Sequence, residues 1–233
     1  SKMVEMGGNL YFTADDGVHG NELWKTDGTI GGTSMVIDLS PAMCPTCQNM
    51  DSDIGELVAG DSKLFFTSPV QSIGVTDITR ELFVSDGTNS GTQLVMDIFD
   101  CPLSSGDITF DYDGVNSLVV LPGSSFGTAG MDRVVFSAFH CSLTNYVCFG
   151  EEPWISDGTL SGTRSMADIR NGDTPMFTQD GQGVLIDDVG SQPRNFFQSG
   201  DMVYFFADDN NSGRELWKID TTRASSGATL VKD

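Results

Sequence analysis

The sequence predicts an all-β fold, a β-propeller of four four-stranded antiparallel blades, with the possibility of belonging to a larger ring left open. Three observations carry this reading. One phrase recurs four times, as Glu22-Leu-Trp-Lys-Thr-Asp-Gly-Thr29, Glu81-Leu-Phe-Val-Ser-Asp-Gly-Thr88, Glu152-Pro-Trp-Ile-Ser-Asp-Gly-Thr159 and Glu215-Leu-Trp-Lys-Ile-Asp220. Its copies begin about 60 to 70 residues apart, and a recurring unit of this kind buries its apolar face only by stacking on its neighbours. The apolar runs between copies are short, β-prone and bounded by turn residues, with none at helical period. Four-stranded sheets in series, covered on both faces, describe propeller blades. A trefoil would need three shorter repeats and a solenoid roughly 20–30 residues per coil; a two-sheet sandwich is the weaker alternative.

The elements follow in order within each unit. A first strand ends at a glycine turn: Met3-Val-Glu-Met6 before Gly7, Glu56-Leu-Val-Ala59 before Gly60, Ser117 to Leu121 before Gly123, and Asn195 to Gln198 before Gly200. The second strand is Leu10 to Ala14, Leu64 to Ser68, Val134 to Ala138 and Val203 to Ala207. Its unbroken aromatic and branched runs predict burial on both faces rather than one. The third strand carries the phrase itself, with Trp24, Phe83, Trp154 and Trp217 at one position, where one large ring per unit predicts packing between adjacent blades. Asp27, Asp86 and Asp157 then open a turn: Asp bonds the backbone two residues on, Gly accepts positive φ, and Thr re-enters a strand. The fourth strand is the run ending at Asp38, Asp97, Asp168 and Asp233. The predicted blades span about 1–39, 55–99, 116–170 and 193–233, with length variation in the loops. Copy four stops at Val231-Lys-Asp233 where the others continue into Leu39, Ile98 or Ile169, which reads as a segment of something longer.

These residues resemble the ELWxxDGT repeat family, secreted or surface-associated proteins in which Gly-Thr-x-Leu-Val-x-Asp-Ile follows the phrase at the spacing seen here. The resemblance covers nearly the whole chain in four copies. Departures are Phe83 for Trp in copy two, Pro153 and Met166-Ala167 in copy three, and Thr221-Thr222-Arg223 in place of Gly-Thr in copy four. It implies a propeller-like fold and an extracellular or cell-surface setting, and it brings no catalytic residues.

With 33 acidic against 12 basic residues and a net charge of −21, the surface opposes nucleic acid and anionic membranes, both of which require a positive footprint. No run approaches the roughly 18–20 apolar residues of a membrane span. Such acidity fits salt water, calcium or basic partners as well as plain solubility. The five cysteines fall in predicted loops. Cys141 and Cys148 share one lengthened loop and are expected to pair in an oxidising compartment. Cys44, Cys47 and Cys101 have uncertain pairing, and Cys44-Pro-Thr-Cys47 is half a zinc spacing without its second half.

His19 and His140 are read as ordinary residues of the loops between second and third strands, since nothing assembles a Ser-His-Asp device around them. Calcium is the better-motivated ligand. Asp208, Asn210, Ser212 and Glu215 place oxygens as in the front of an EF-hand loop, and Asp15 with Glu22 aligns with them. The same residues form hairpin turns without an ion. Asp111-Tyr-Asp113 and Asp51-Ser-Asp53 are further acidic loops. Asn210-Asn-Ser212 is a glycosylation sequon that would compete with calcium in that loop. The function expected is a non-catalytic extracellular scaffold or adhesion module binding a protein or glycan through its loop face. The alternatives are a propeller enzyme acting on polysaccharide and a structural subunit of a larger extracellular filament or complex.

Overall fold

The computed structural model describes residues 2–39, 51–71, 78–96, 98, 114–127, 130–142, 147–170, 174–175, 190–222 and 227–232. Among them are four antiparallel sheets, each a simple up-and-down meander. Sheet one holds β1 (Met3–Met6), β2 (Asn9–Asp15), β3 (Asn21–Thr26) and β4 (Ser34–Ile37). Sheet two holds β5 (Leu57–Ala59), β6 (Leu64–Gln71), β7 (Ile78–Ser85) and β8 (Gln93–Met96). Sheet three holds β9 (Asn116–Leu121), β10 (Arg133–Ser142), β11 (Val147–Ser156) and β12 (Arg164–Ser165), and β13 (Thr174–Pro175) pairs with the far end of β11. Sheet four holds β14 (Arg194–Ser199), β15 (Met202–Asp208), β16 (Arg214–Asp220) and β17 (Thr229–Lys232). These are the blades of a β-propeller, in the order and at the places the repeat predicts.

Three apolar clusters fill the three gaps between successive blades. The first joins Tyr11, Leu23 and Val36 of blade one to Leu57, Leu64, Phe66 and Phe83 of blade two. The second joins Phe65, Leu82, Val84 and Val95 to Val134, Phe136 and Trp154. The third joins Val135, Ile155 and Met166 to Phe196, Val203, Phe205 and Ile219. Residues alternate along each strand, so Phe65 and Phe66 serve opposite gaps. Among the described residues no fourth cluster joins blade four to blade one, and the blades form an open arc.

This openness corrects two sequence expectations. The second strand is buried on both faces only in blades two and three; in blades one and four one face has no neighbour among the described residues, and Leu10 of β2 and Phe206 of β15 are exposed. Phe83, Trp154 and Trp217 do pack into the gap toward the preceding blade. Trp24, at the same position, turns toward the open end and is only half-buried. The physical reason is that four blades in an arc make three interfaces, not four.

The repeated phrase is explained by hydrogen bonds. In the three full Asp-Gly-Thr turns the Asp Oδ1 accepts from the Thr amide at 2.9 Å and the Thr hydroxyl at 2.7 Å. Asp220 makes the same pair with Thr222, at 3.0 and 2.6 Å, although Thr221 replaces the glycine. Gly28, Gly87 and Gly158 have φ of 90°, 85° and 86°, a region that L side chains seldom enter. The downstream Gly-Thr closes the same loop: Thr33, Thr92 and Thr163 each donate to the turn threonine's carbonyl at 2.7 Å.

The glycine of that second pair is required by space. A Cβ on Gly91 would stand 2.0 Å from Asp86 Oδ1, whereas one on Gly31 of blade one would meet nothing within 4 Å. Gly91→Ala is therefore expected to destabilise the fold by about 1–3 kcal/mol as an overpacked site, with Gly31→Ala close to neutral. Urea unfolding midpoints of the two variants check the contrast.

Candidate functional site

The phrase begins with a glutamate, and the structure shows why. Glu22, Glu81 and Glu152 are buried, and each Oε2 accepts from a backbone amide just beyond the fourth strand: Leu39 at 2.9 Å, Ile98 at 2.9 Å and Ile169 at 3.1 Å. The side chain thus ties the exit of its blade to the third strand. Glu152 is the most fully engaged: its Oε1 accepts from the Ser191 amide at 2.9 Å and the Arg170 amide at 3.4 Å, and its Oε2 from the Ser191 hydroxyl at 2.7 Å. Burial pushes both Glu22 and Glu152 up to about 7, with the amide bonds partly offsetting it. Glu22 Oε1 is buried with no hydrogen-bond partner, so its ionised form is costly.

A second, polar cluster sits where the first strands of blades three and four begin. Glu151 of β11 accepts through Oε1 from Ser137 Oγ at 2.6 Å and Asn116 Nδ2 at 3.0 Å. Arg194 of β14 grips both its oxygens, Nη2 reaching Oε2 at 2.7 Å and Nη1 reaching Oε1. This two-pronged charge-assisted contact fixes blade four against blade three. On the other side, Glu56 accepts from the Ser117 and Leu118 amides at 2.6 and 2.9 Å, tying blade two to blade three. Ser117 and Asn195, one residue into β9 and β14, both hold φ of 59°, a non-glycine strain that these neighbouring bonds maintain.

Among the described residues, an open cleft of about 250 Å³ lies on blade three, lined by His140, Phe149, Gly150, Glu152, Trp154, Ser165 and Asp168. His140 stacks on Phe149 with ring centres 5.4 Å apart and planes at 12°, and meets Trp154 edge-on at 5.3 Å. Burial lowers the His140 pKa and favours its neutral form. Trp154 Nε1 is buried without a hydrogen-bond partner. Aromatic walls with a few polar groups are how small sites recognise flat or ring-shaped ligands, although this volume lies below the usual range of about 300–1,000 Å³.

The sequence placed His140, Cys141 and Cys148 in a loop; the structure puts them on strands. β10 and β11 extend their ladder beyond the length seen in blade one, through a register shift between His140 and Cys141, and the pairing beyond it sets Cys141 opposite Cys148. Cys44, Cys47, Cys101 and Asp111 lie outside the described residues. His19 does sit in its loop, with Nδ1 2.8 Å from Asp16 Oδ2, and that partner raises its pKa.

The acidic loops are built as turns. Asp208 Oδ1 accepts from the Asn210 amide at 2.7 Å, and Asp209 Oδ1 accepts from the Asn211 and Ser212 amides at 2.9 and 2.8 Å. Asp15 Oδ1 accepts from the Gly17 amide at 2.7 Å. Glu22 Oε2 accepts from the Leu39 amide, and Glu215 lies in the β15–β16 ladder opposite Ala207. Among the described residues no three His, Cys, Asp or Glu side chains gather as metal ligands. Asn210, the sequon residue, is exposed at φ 65°. Asp51 Oδ1 accepts from the Asn21 amide at 2.7 Å, and Asp53 pairs with Arg80.

One carboxylate outside every repeated motif was not foreseen. Asp132, fully buried before β10, accepts from the amides of Asp61, Ser62 and Lys63 at 3.0, 2.6 and 3.0 Å, from Ser62 Oγ at 3.0 Å, and from the Gly123 amide at 2.9 Å. It caps the β5–β6 turn of the neighbouring blade. Only its place two residues before the second strand hinted at a role.

No protein-family model matches the chain, and no curated protein matches it. Solved structures are similar to it at low identity. It is similar to a puromycin hydrolase, at 13% identity and a TM-score of 0.47, over 96% of this chain and 27% of that one. It is also similar to TolB from Acinetobacter baumannii, at 7% identity and a TM-score of 0.44, over 99% of this chain and 43% of that one. A family 117 glycoside hydrolase produced by the marine bacterium Zobellia galactanivorans matches at 12% identity and a TM-score of 0.39, over 100% of this chain and 68% of that one. The chain spans less than half the length of the first two. No helix among the described residues is long and apolar enough to cross a membrane.

Proposed function

We propose that this chain is a non-catalytic recognition module of the ELWxxDGT repeat kind, working outside the cell or at its surface and binding a protein or glycan through its loop face. The observation that carries the reading is the use to which the recurring acids are put. Glu22, Glu81 and Glu152 hold strand exits, and Asp27, Asp86, Asp157 and Asp220 hold turns. What the blades share is consumed by architecture, so recognition falls to what they do not share. The extended β10–β11 hairpin with its His140, Phe149 and Trp154 wall is the described part of that unshared surface.

The polysaccharide-hydrolase alternative needs an acid poised at the cleft, and Glu152 lines it with a raised pKa. Its two oxygens already accept four hydrogen bonds from the protein, which supports a structural role over proton transfer. The deciding experiment is a glycan array run beside a polysaccharide-hydrolysis panel. The expected result is glycan binding weakened about tenfold by Phe149→Ala, the loss of one stacked aromatic wall, and no released sugar. Hydrolysis abolished by Glu152→Gln or Glu151→Gln overturns the proposal.

A further inference from the structure

Among the described residues, the ladder between second and third strands is bulged in blade three alone. β2–β3, β6–β7 and β15–β16 pair residue for residue. In β10–β11 the register shifts between His140 and Cys141: His140 faces Gly150 and Cys141 faces Cys148, which leaves Phe149 as an extra, unpaired residue. Gly150 beside it holds φ of 76°, the left-handed glycine that one class of β-bulge uses. Strict alternation would send Phe149 to the face opposite Gly150, Glu152 and Trp154. The bulge instead lays its ring on His140, with planes 12° apart, while Trp154 meets the same imidazole edge-on. Bulges re-aim side chains and cluster beside binding and active sites, and this one adds a ring to the wall of the cleft.

The cleft below that wall carries charge of one sign. Asp168, exposed, and Glu152, buried, both line it, and no lysine or arginine is among the described lining residues. Arg170, two residues beyond Asp168, directs its guanidinium to Gly190 O at 3.4 Å and Asn210 Oδ1 at 3.5 Å. Burial favours the neutral form of His140, so the wall adds no positive charge. Aromatic faces beside a carboxylate attract an ammonium group, and the net charge of −21 draws cations to the surface as a whole. The volume of about 250 Å³ is below that of a site for a drug-sized ligand and suits one small unit of a longer molecule.

We propose that this cleft is a subsite for one amine-bearing sugar unit of a glycan, the sugar ring covering Phe149 and the protonated amine facing Asp168. The inference rests on the recognition reading above and names its ligand class. A sugar ring is favoured over a lysine side chain because its flat apolar face covers more of a stacked aromatic pair, and because fixing a ring costs less rotamer freedom than fixing an unbranched tail.

Titration calorimetry of the whole chain tests it with a glucosamine tetramer, an N-acetylglucosamine tetramer and a tetralysine peptide, at about pH 6 where an amine is protonated. The free-amine oligomer is expected to bind about tenfold or more tighter than the acetylated one, and the gap to narrow as salt rises from about 0.05 M to about 0.5 M. Asp168→Asn is expected to close most of that gap with the acetylated oligomer unaffected, whereas Phe149→Leu weakens both. Should Asp168→Asn lose its native circular dichroism, the salt dependence of the parent chain carries the test. Equal affinity for the two oligomers, or a gap that salt leaves unchanged, overturns the cationic subsite and leaves glycan recognition standing. Binding of the peptide and of neither oligomer overturns it in favour of a protein ligand. A chain that binds no glycan on the array overturns both this subsite and the glycan arm of the recognition reading.

Discussion

Asp132→Ala is expected to cost about 3 kcal/mol or more of unfolding free energy. The carboxylate is fully buried and accepts five hydrogen bonds. Truncation takes the shared acceptor from the amides of Asp61, Ser62, Lys63 and Gly123, and a buried donor left unsatisfied costs about 1–3 kcal/mol. Asp132→Asn keeps the shape but turns one acceptor into a donor facing donors, so it is expected to recover less than half of the loss. The measurement is the urea midpoint at constant m-value, and a variant within about 0.5 kcal/mol of the parent would refute the capping role. Burial raises the Asp132 pKa, but the amides of Gly123, Ser62 and Asp61 outweigh it and leave the group below the usual aspartate value. Its contribution is therefore present above the unfolded-state pKa and is lost as pH falls through the folded value.

The buried glutamates give the opposite slope at higher pH. Glu22 and Glu152 titrate at about 7 in the fold against 4.5 for an ordinary glutamate. Between those values the folded state binds more protons than the unfolded one, so stability falls as pH rises from about 4.5 to about 7 and stays low beyond. The melting temperature is expected to be several degrees higher at pH 5 than at pH 8, and to decline again in strong acid as Asp27, Asp86 and Asp132, all held below the usual value, take up protons. The net charge of −21 adds repulsion in the same direction, and a substitution separates the two sources. The double variant Glu22→Gln, Glu152→Gln removes the buried charges while changing the total little, and it should flatten most of the slope between pH 5 and pH 8. A slope unchanged in that variant would assign the effect to surface charge instead.

Much of this fold was legible because its signals are local. Asp27, Gly28 and Thr29 form a turn through bonds reaching two residues, and the apolar runs around Phe66 and Phe136 declare a two-sided core. Glu22, Glu81 and Glu152 were visible as a pattern but not as a purpose. Their partners lie beyond the fourth strand, and only folding of the blade brings Leu39, Ile98 and Ile169 to them. His140 and Cys141 were read as loop because strand ends are set by how far a hairpin ladder continues, which depends on its partner strand as much as on its own residues.

The sequence by itself determined the unit, its four strands, its turns and the number of copies, since each rests on contacts within one blade and is written in a spacing that repeats. Only the tertiary structure decided what lies between blades. It showed that Asp132 caps a neighbouring turn and that Arg194 binds Glu151 across a gap. Those contacts join residues far apart in the chain, and nothing in a repeating local pattern states how many copies a ring needs before its last blade meets its first.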